Sequence, residues 1–258
     1  MRRIRPIVLL AWMCAAPAAA QTSARGPLET IGIRVSEGTT LGFDLSPDGR
    51  SIVFDLLGQL WLIPAPGGAA RPLTNAVRDA ADDLDPSFSP DGRRVVFRAE
   101  RSGRTGLWLL ELDSAVPRQL TQLPDPMGFD GNAAWSPDGR LIAFARSFPD
   151  FANQRWRSDV QLLEVASGTL RPLSISGIPN PQVGDPAWVR GGNAIAFVAR
   201  NVRSPTGGRV WIVPATGGQA SPVTRDSLPA LAPAFNGDGR RLAYFAPDSV
   251  GRMQAVRP

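Results

Sequence analysis

From residue 41 onward the chain alternates short apolar blocks with polar corners rich in Pro, Asp and Gly. One such corner, Ser89-Pro90-Asp91-Gly92-Arg93, leads into Val95-Val96-Phe97, and Leu107-Trp108-Leu109-Leu110-Glu111-Leu112 follows it. Blocks this short, rich in β-branched and aromatic residues and bounded by turn formers, predict strands. No helical period runs beyond the first twenty residues, and 26 Gly and 25 Pro would interrupt one. At the corner, Pro presets φ for the second turn position, Asp suits the third, and Gly takes a left-handed conformation without steric cost. Pro86–Ser89 therefore pairs with Val95–Phe97 in a tight hairpin, Leu107–Leu112 makes a third strand and Arg118–Thr121 a fourth.

These features recur in a fixed order. The corner returns as Ser46-Pro47-Asp48-Gly49-Arg50, Ser136-Pro137-Asp138-Gly139-Arg140, a degenerate Val189-Arg190-Gly191-Gly192-Asn193, and Asn236-Gly237-Asp238-Gly239-Arg240. The aligned glycines are 43, 47, 53 and 47 residues apart, and an aromatic follows each by five: Phe54, Phe97, Phe144, Phe197, Tyr244. Trp61, Trp108 and Trp211 hold one further register position, with Gln161 and Gln254 in their place elsewhere. Arg71-Pro72-Leu73-Thr74 returns as Arg118-Gln119-Leu120-Thr121, Arg171-Pro172-Leu173-Ser174 and, loosely, Ser221-Pro222-Val223-Thr224. This spacing suits a four-stranded propeller blade of about 40–50 residues. One such sheet buries too little apolar surface to stand alone, so sheets stack face to face around an axis. The expected fold is all-β: a β-propeller of four-stranded blades with five repeats, near residues 41–78, 79–125, 126–178, 179–228 and 229–258, the last incomplete. In that frame the Trp series reads as core between blades. Asp48, Asp91, Asp138 and Asp238 read as turn formers spread around one rim.

The repeats resemble the WD-like repeats of TolB-type β-propellers, whose hallmark is the Ser-Pro-Asp-Gly turn followed by an apolar strand and a Trp-bearing one. The resemblance covers roughly residues 28–258. Ser36-Glu37-Gly38-Thr39-Thr40, Phe43-Asp44-Leu45-Ser46-Pro47-Asp48-Gly49 and Val53-Phe54-Asp55-Leu56-Leu57-Gly58 also resemble the opening of the propeller that precedes a metal-dependent amidohydrolase domain in some secreted bacterial enzymes. In that family the metal ligands, mostly histidines, lie in a C-terminal barrel. This sequence has no such barrel and no histidine, so no functional residue carries over, and the resemblance implies a non-catalytic accessory domain. Peptidases of the prolyl-oligopeptidase type also set a propeller beside a catalytic domain, and the opening residues fit them less well. The fifth unit stops after a third strand at Arg252–Val256. Ile31-Gly32-Ile33-Arg34-Val35 is placed to supply the missing strand and close five blades. TolB-like propellers usually have more, so the expectation is an incomplete chain.

Arg2, Arg3 and Arg5, the apolar stretch Ile7–Ala16 and Ala18-Ala19-Ala20 have the layout of an export signal cleaved after Ala20, leaving residues 21–258 periplasmic or secreted. The stretch is too short to span a bilayer comfortably, so no stable membrane span is expected. Lipidation at Cys14 is the weaker alternative, because bulky Trp12 and Met13 precede it. All 28 basic residues are Arg; without the signal, 25 Arg face 23 acidic residues, which gives no electrostatic footprint for nucleic acid. Beyond the signal there is neither Cys nor His, which excludes disulfides, thiolate or imidazole metal sites, a cysteine nucleophile and a Ser-His-Asp triad. No cofactor and no metal is expected. Carboxylates, Arg, Ser and Tyr244 remain for chemistry, and nothing singles out a glycosidase-type carboxylate pair.

Two connections stand out on the face shared by the loops that join fourth to first and second to third strands. Residues 75–85 carry Asp79, Asp82, Asp83 and Asp85, oxygen ligands of a kind that hold cations. Their spacing matches no calcium loop, and exposed acidic loops are mostly solvated. Residues 146–159 gather Arg146, Phe148, Phe151, Arg155, Trp156 and Arg157 into one long connection, the composition of a protein-interaction hot spot. The competing reading has Phe151 and Trp156 plugging that loop onto its own blade. The functional expectation is an exported binding or scaffold module that meets a protein or peptide through its loop face. The alternative is an accessory propeller serving a hydrolase domain in cis.

Overall fold

The computed structural model describes residues 41–101, 103–114, 116–125, 127–178, 182–200, 208–224, 229–235, 241–247 and 253–256, all within one unit, Gly38–Pro258. The export signal, Ile31–Val35 and the corner Asn236–Arg240 lie outside the described residues. The first sheet holds β1 (Phe43–Leu45), β2 (Ser51–Leu56), β3 (Gln59–Pro64) and β4 (Arg71–Pro72), antiparallel in that order. A four-residue helix, Ala76–Asp79, leads to the second: β5 (Asp82–Phe88), β6 (Arg94–Arg101), β7 (Arg104–Glu111) and β8 (Pro117–Gln119). The third has β9 (Phe129–Trp135), β10 (Leu141–Asp150), β11 (Arg155–Glu164) and β12 (Leu170–Pro172). After β13 (Ile175–Ser176) come β14 (Gln182–Trp188), β15 (Ala194–Arg200), β16 (Gly208–Pro214), β17 (Gly218–Gln219) and β18 (Ser221–Pro222). The fourth sheet runs β14-β15-β16-β18, with β13 and β17 paired in parallel beside it. The fifth has β19 (Leu231–Phe235), β20 (Leu242–Pro247) and β21 (Met253–Val256). A single parallel bridge, Thr105 to Phe129, joins the second and third sheets.

The corner is a small hydrogen-bonded device. Ser46 Oγ donates to Asp48 Oδ1 at 2.6 Å and accepts from the Ser51 amide at 2.9 Å, while the Arg50 amide donates to Asp48 at 3.0 Å. Ser136, Asp138, Arg140 and Leu141 repeat it, as do Ser89, Asp91, Arg93 and Arg94. The serine hydroxyl holds each of the three aspartates below the usual carboxylate range. Gly49, Gly92 and Gly139 sit at φ 72°, 69° and 69°, where a Cβ would be strained. Consecutive corners also touch: a Cβ on Gly139 would lie 3.7 Å from Pro90 Cδ, and one on Gly192 3.7 Å from Pro137 Cδ.

The recurring threonine has a specific task. Thr74, Thr121 and Thr224 are buried, and their hydroxyls accept the Leu60, Leu107 and Val210 amides of the third strands at 3.0, 2.9 and 3.0 Å. The fourth strand is thereby latched where its ladder ends.

Packing follows the period of two. Val95, Phe97 and Leu110 face Val53, Leu60 and Leu73 of the first sheet, whereas Val96, Leu107 and Leu109 face Ile142, Phe144 and Leu163 of the third. Ala143, Val160 and Leu162 in turn meet Ile195, Phe197 and Val213 of the fourth, and Ala196 and Val210 meet Leu242 of the fifth. Phe97, Phe144 and Phe197 are fully buried at these interfaces. The Trp series differs from its expected place in the core: Trp61, Trp108 and Trp211 are half-buried. Arg101 lies 4.9 Å over Trp108 and Arg209 5.4 Å over Trp211, so these indoles cap the apolar interface beneath a guanidinium.

Candidate functional site

The ends of the sheets opposite the Ser-Pro-Asp-Gly corners carry most of the buried charge. Asp83 is fully buried in β5, and both its oxygens accept from Arg101 Nη2 at 2.9 Å. Burial pushes its carboxyl up, and the Thr74 hydroxyl and Arg101 pull it back. Asp130 is its counterpart in β9, fully buried and gripped by Arg146 Nε and Nη2 at 2.7 and 2.8 Å. Asp79 pairs with Arg78, whose hydrogen bond holds its carboxyl down, and Asp85 pairs with Arg98 at 3.0 Å. The run at residues 75–85 is thus a helical turn and a strand in which Asp79, Asp83 and Asp85 are held by ion pairs, rather than an irregular solvated loop. Among the described residues no group of three or more ligand-type side chains converges on a metal position.

The expected loop at 146–159 is instead a hairpin. β10 and β11 stay in register from Leu141–Glu164 to Asp150–Arg155, and a 3-10 turn over Phe151–Asn153 closes it. Asp150 accepts the Asn153 amide and side chain, which hold its carboxyl low, and Arg155 Nε at 3.2 Å. The six residues singled out in the sequence divide into three groups. Arg146 and Arg155 are spent on ion pairs inside the hairpin. Arg157 stacks 5.5 Å over the half-buried Phe148 across the strand pair. Phe151 remains 71% exposed, whereas Trp156, 42% exposed, packs against its own sheet. Its partner there is Phe129 of β9, which sequence reasoning missed, with ring centroids 5.7 Å apart and planes at 52°. The Trp156 carbonyl accepts from Gln182 Nε2 of the fourth sheet at 3.1 Å.

A second feature lies where the first strands of all five sheets converge. Gly42, Asp85, Asn132, Asp185 and Ala232 hold one register position, four before the first residue of each corner, and line an open cavity of about 330 Å³ with Phe43, Asp44 and neighbouring residues. Asp85, Asn132, Asp185 and Ala232 each adopt φ between 47° and 52° at a bulge in the strand. The recurring Pro86, Pro186 and Pro233 just after the bulge were the available sequence signal. Here the polar groups stitch sheet to sheet. Asp55 accepts the Asp85 amide at 2.8 Å and Asp44 the Phe88 amide at 2.8 Å; burial raises both carboxyls. Asn132 donates to Asp185, which also accepts the Ala232 amide at 3.2 Å. Trp135 and Trp188 donate their indole N–H to the carbonyls of Ser87 and Ala134 in the preceding sheet, at 3.2 and 3.0 Å.

No family model and no curated protein matches the sequence. Solved structures do. A TolB-type protein from Agrobacterium tumefaciens superposes with TM-score 0.65 at 19% identity, covering 81% of this chain and 71% of its own. The fold is that of the TolB-type β-propellers. An oligogalacturonate lyase solved with manganese gives TM-score 0.61 at 15% identity, over 83% of this chain and 65% of the lyase. A puromycin-hydrolysing peptidase from Mycobacterium tuberculosis gives 0.59 at 20% identity, over 86% of this chain but 36% of the peptidase. At these identities the likeness concerns the fold. No helix among the described residues is long and apolar enough to cross a membrane.

Proposed function

We propose that this chain is an exported β-propeller module with no catalytic centre of its own, binding or scaffolding a protein or peptide through the face that carries the β10–β11 hairpin. Residues 1–20 are its export signal and 21–258 the propeller, with five blades near the repeat boundaries given above. The site comprises Arg146, Phe148, Phe151, Arg155, Trp156 and Arg157, the two ion-paired arginines holding the hairpin in shape for the others. One observation carries this reading: Trp156 and Phe151 stand 42% and 71% exposed at the far end of a hairpin of two ten-residue strands, leaving large aromatic area open to a partner. The lack of His and of Cys beyond Cys14 supports a non-catalytic role, since no triad or imidazole metal site can be assembled. The test is partner capture by the exported protein. Trp156→Ala and Phe151→Ala abolish capture if the hairpin is the site; unchanged capture refutes the assignment.

A second reading rests on the likeness of residues 36–58 to the opening of an amidohydrolase-associated propeller, and the fold also occurs as about a third of a larger peptidase. In it the propeller is the accessory part of a larger hydrolase of amidohydrolase type. Coding DNA that continues in frame past Pro258 into a His-x-His segment with further His or Asp ligands supports it; a stop codon there refutes it.

A further inference from the structure

The hairpin does not end the exposed aromatic surface. Thr105 of β7 bridges to Phe129, Phe129 pairs with Ser147 and meets Trp156, and Gln182 binds Trp156 and pairs with Arg200 of β15. Strand pairing, one ring contact and one hydrogen bond together order a strip across the second, third and fourth sheets: Arg104 next to the bridged Thr105, then Phe129, Trp156 with Arg157 beside it, Gln182 and Arg200. Its centre is apolar, with Phe129 38% and Trp156 42% exposed, and Met127 56% exposed two residues before Phe129. Its margins are cationic. Arg104, Arg157 and Arg200 are all exposed. Arg104 donates to the Leu123 carbonyl and Arg157 lies over a phenyl ring, so neither charge is neutralised. None of the three forms an ion pair among the described residues, in contrast to Arg98, Arg101, Arg146 and Arg155. Two exposed carboxylates, Glu100 opposite Thr105 and Asp82 opposite Glu100, lie at the second-sheet end, so the cationic margin is carried mainly by Arg157 and Arg200 on the third and fourth sheets.

We infer that the partner of this face is an acidic peptide segment: one apolar or aromatic side chain seated on the Phe129–Trp156 pair, flanked by Asp or Glu residues that meet Arg157 on the hairpin and Arg104 and Arg200 on the margins. The inference rests on the proposed binding role of the hairpin and adds the chemistry of what binds. Aromatic rings supply desolvated area, and guanidinium groups supply forked donors to carboxylates, so the strip selects for both at once. A basic segment of the same apolar content meets like charge and is rejected.

The probes are three fluorescein-labelled hexapeptides with a central Leu-Phe: one flanked by Glu-Asp pairs, one by Gln-Ser, one by Lys-Arg. Fluorescence anisotropy against the full exported chain at low salt reads the affinities. The acidic peptide binds about tenfold or more tighter than the neutral one, and the margin shrinks as salt is raised toward 0.5 M because exposed charges are screened. Charge reversal in Arg157→Glu/Arg200→Glu, at exposed positions that leave the fold intact, removes that margin. Trp156→Ala weakens binding of the acidic and neutral peptides about thirtyfold, the scale of an interface hot spot. Equal or tighter binding of the neutral or basic peptide, with Trp156→Ala still damaging it, overturns the inference and leaves the hairpin as a binding site. Binding of none of the three, or binding indifferent to Trp156→Ala, overturns both.

Discussion

Thr121→Val isolates one hydrogen bond of the repeat without changing its shape. The Thr121 hydroxyl is the acceptor for the Leu107 amide at 2.9 Å, in a residue only 4% exposed. Valine fills the same volume, so no cavity opens, but the amide is left facing a methyl group. A buried donor stripped of its partner costs about 1–3 kcal/mol, and the third strand cannot turn to find another. Taking about 2 kcal/mol, Tm falls by roughly 4–8 °C for a domain of this size, with a matching drop in the urea midpoint at unchanged m. Thr121→Ser is the control: it keeps the acceptor and loses one methyl, at a cost of about 0.8 kcal/mol or less. Thr224→Val, whose hydroxyl accepts the Val210 amide in the same way, costs a similar amount, and Thr74→Val costs more because its hydroxyl also hydrogen-bonds the buried Asp83. If Thr121→Val is as stable as the parent, or the serine variant is the weaker of the two, the latch explanation of the recurring threonine is wrong.

Other outcomes follow from the same structure. Phe197→Ala empties a fully buried position between the third and fourth sheets and costs about 3–5 kcal/mol in urea unfolding, whereas exposed Phe151→Ala stays within about 0.5 kcal/mol. Arg101→Met strands the fully buried Asp83 and costs about 3–5 kcal/mol, much of which Arg101→Met/Asp83→Leu recovers by removing the orphaned carboxylate. Asp48, Asp91 and Asp138 are held low by their serine hydroxyls, so they take up protons later in the native than in the unfolded state. Their contribution is present above the unfolded value of about 4 and is lost as pH falls through the lower native values. The Asp48→Asn/Asp91→Asn/Asp138→Asn variant therefore shows a shallower decline in urea midpoint below about pH 4 than the parent. Asp44, Asp55 and Asp83 act with opposite sign, since burial raises them: stability falls as pH rises from about 4 through their native values.

The corners and the strands that flank them were legible because turn chemistry is local: Pro, Asp and Gly act within four residues, and Val95-Val96-Phe97 alternates faces whatever surrounds it. The hairpin was not. Arg146-Ser147-Phe148 and Trp156-Arg157-Ser158 carry too few apolar residues to read as strand, and the register from Ser147–Ser158 to Asp150–Arg155 appears only once the two segments pair. Phe129 lies in Gly128-Phe129-Asp130-Gly131, which reads as a turn, and reaches Trp156 only through its pairing with Ser147. The burial of Asp83 was hidden by its acidic neighbours, although Asp83 and Asp130 both stand six residues before a corner serine, a signal that was present in the repeat. The Trp residues were placed by type as core; they fall half-buried at its margin, Trp108 and Trp211 packed against the apolar clusters on one side and stacked beneath a guanidinium on the other.

The central claim is that successive repeats stack as equivalent sheets, setting their corners at even intervals along one rim. Spin labels at Arg50, Arg93, Arg140 and Asn193, the exposed residues just after the corner glycines, test it by pairwise distance measurement. Even stacking predicts one common distance for the 50–93, 93–140 and 140–193 pairs, and a second, longer one shared by 50–140 and 93–193. Unrelated distances among the three neighbouring pairs, or a 50–140 distance shorter than 50–93, would contradict it.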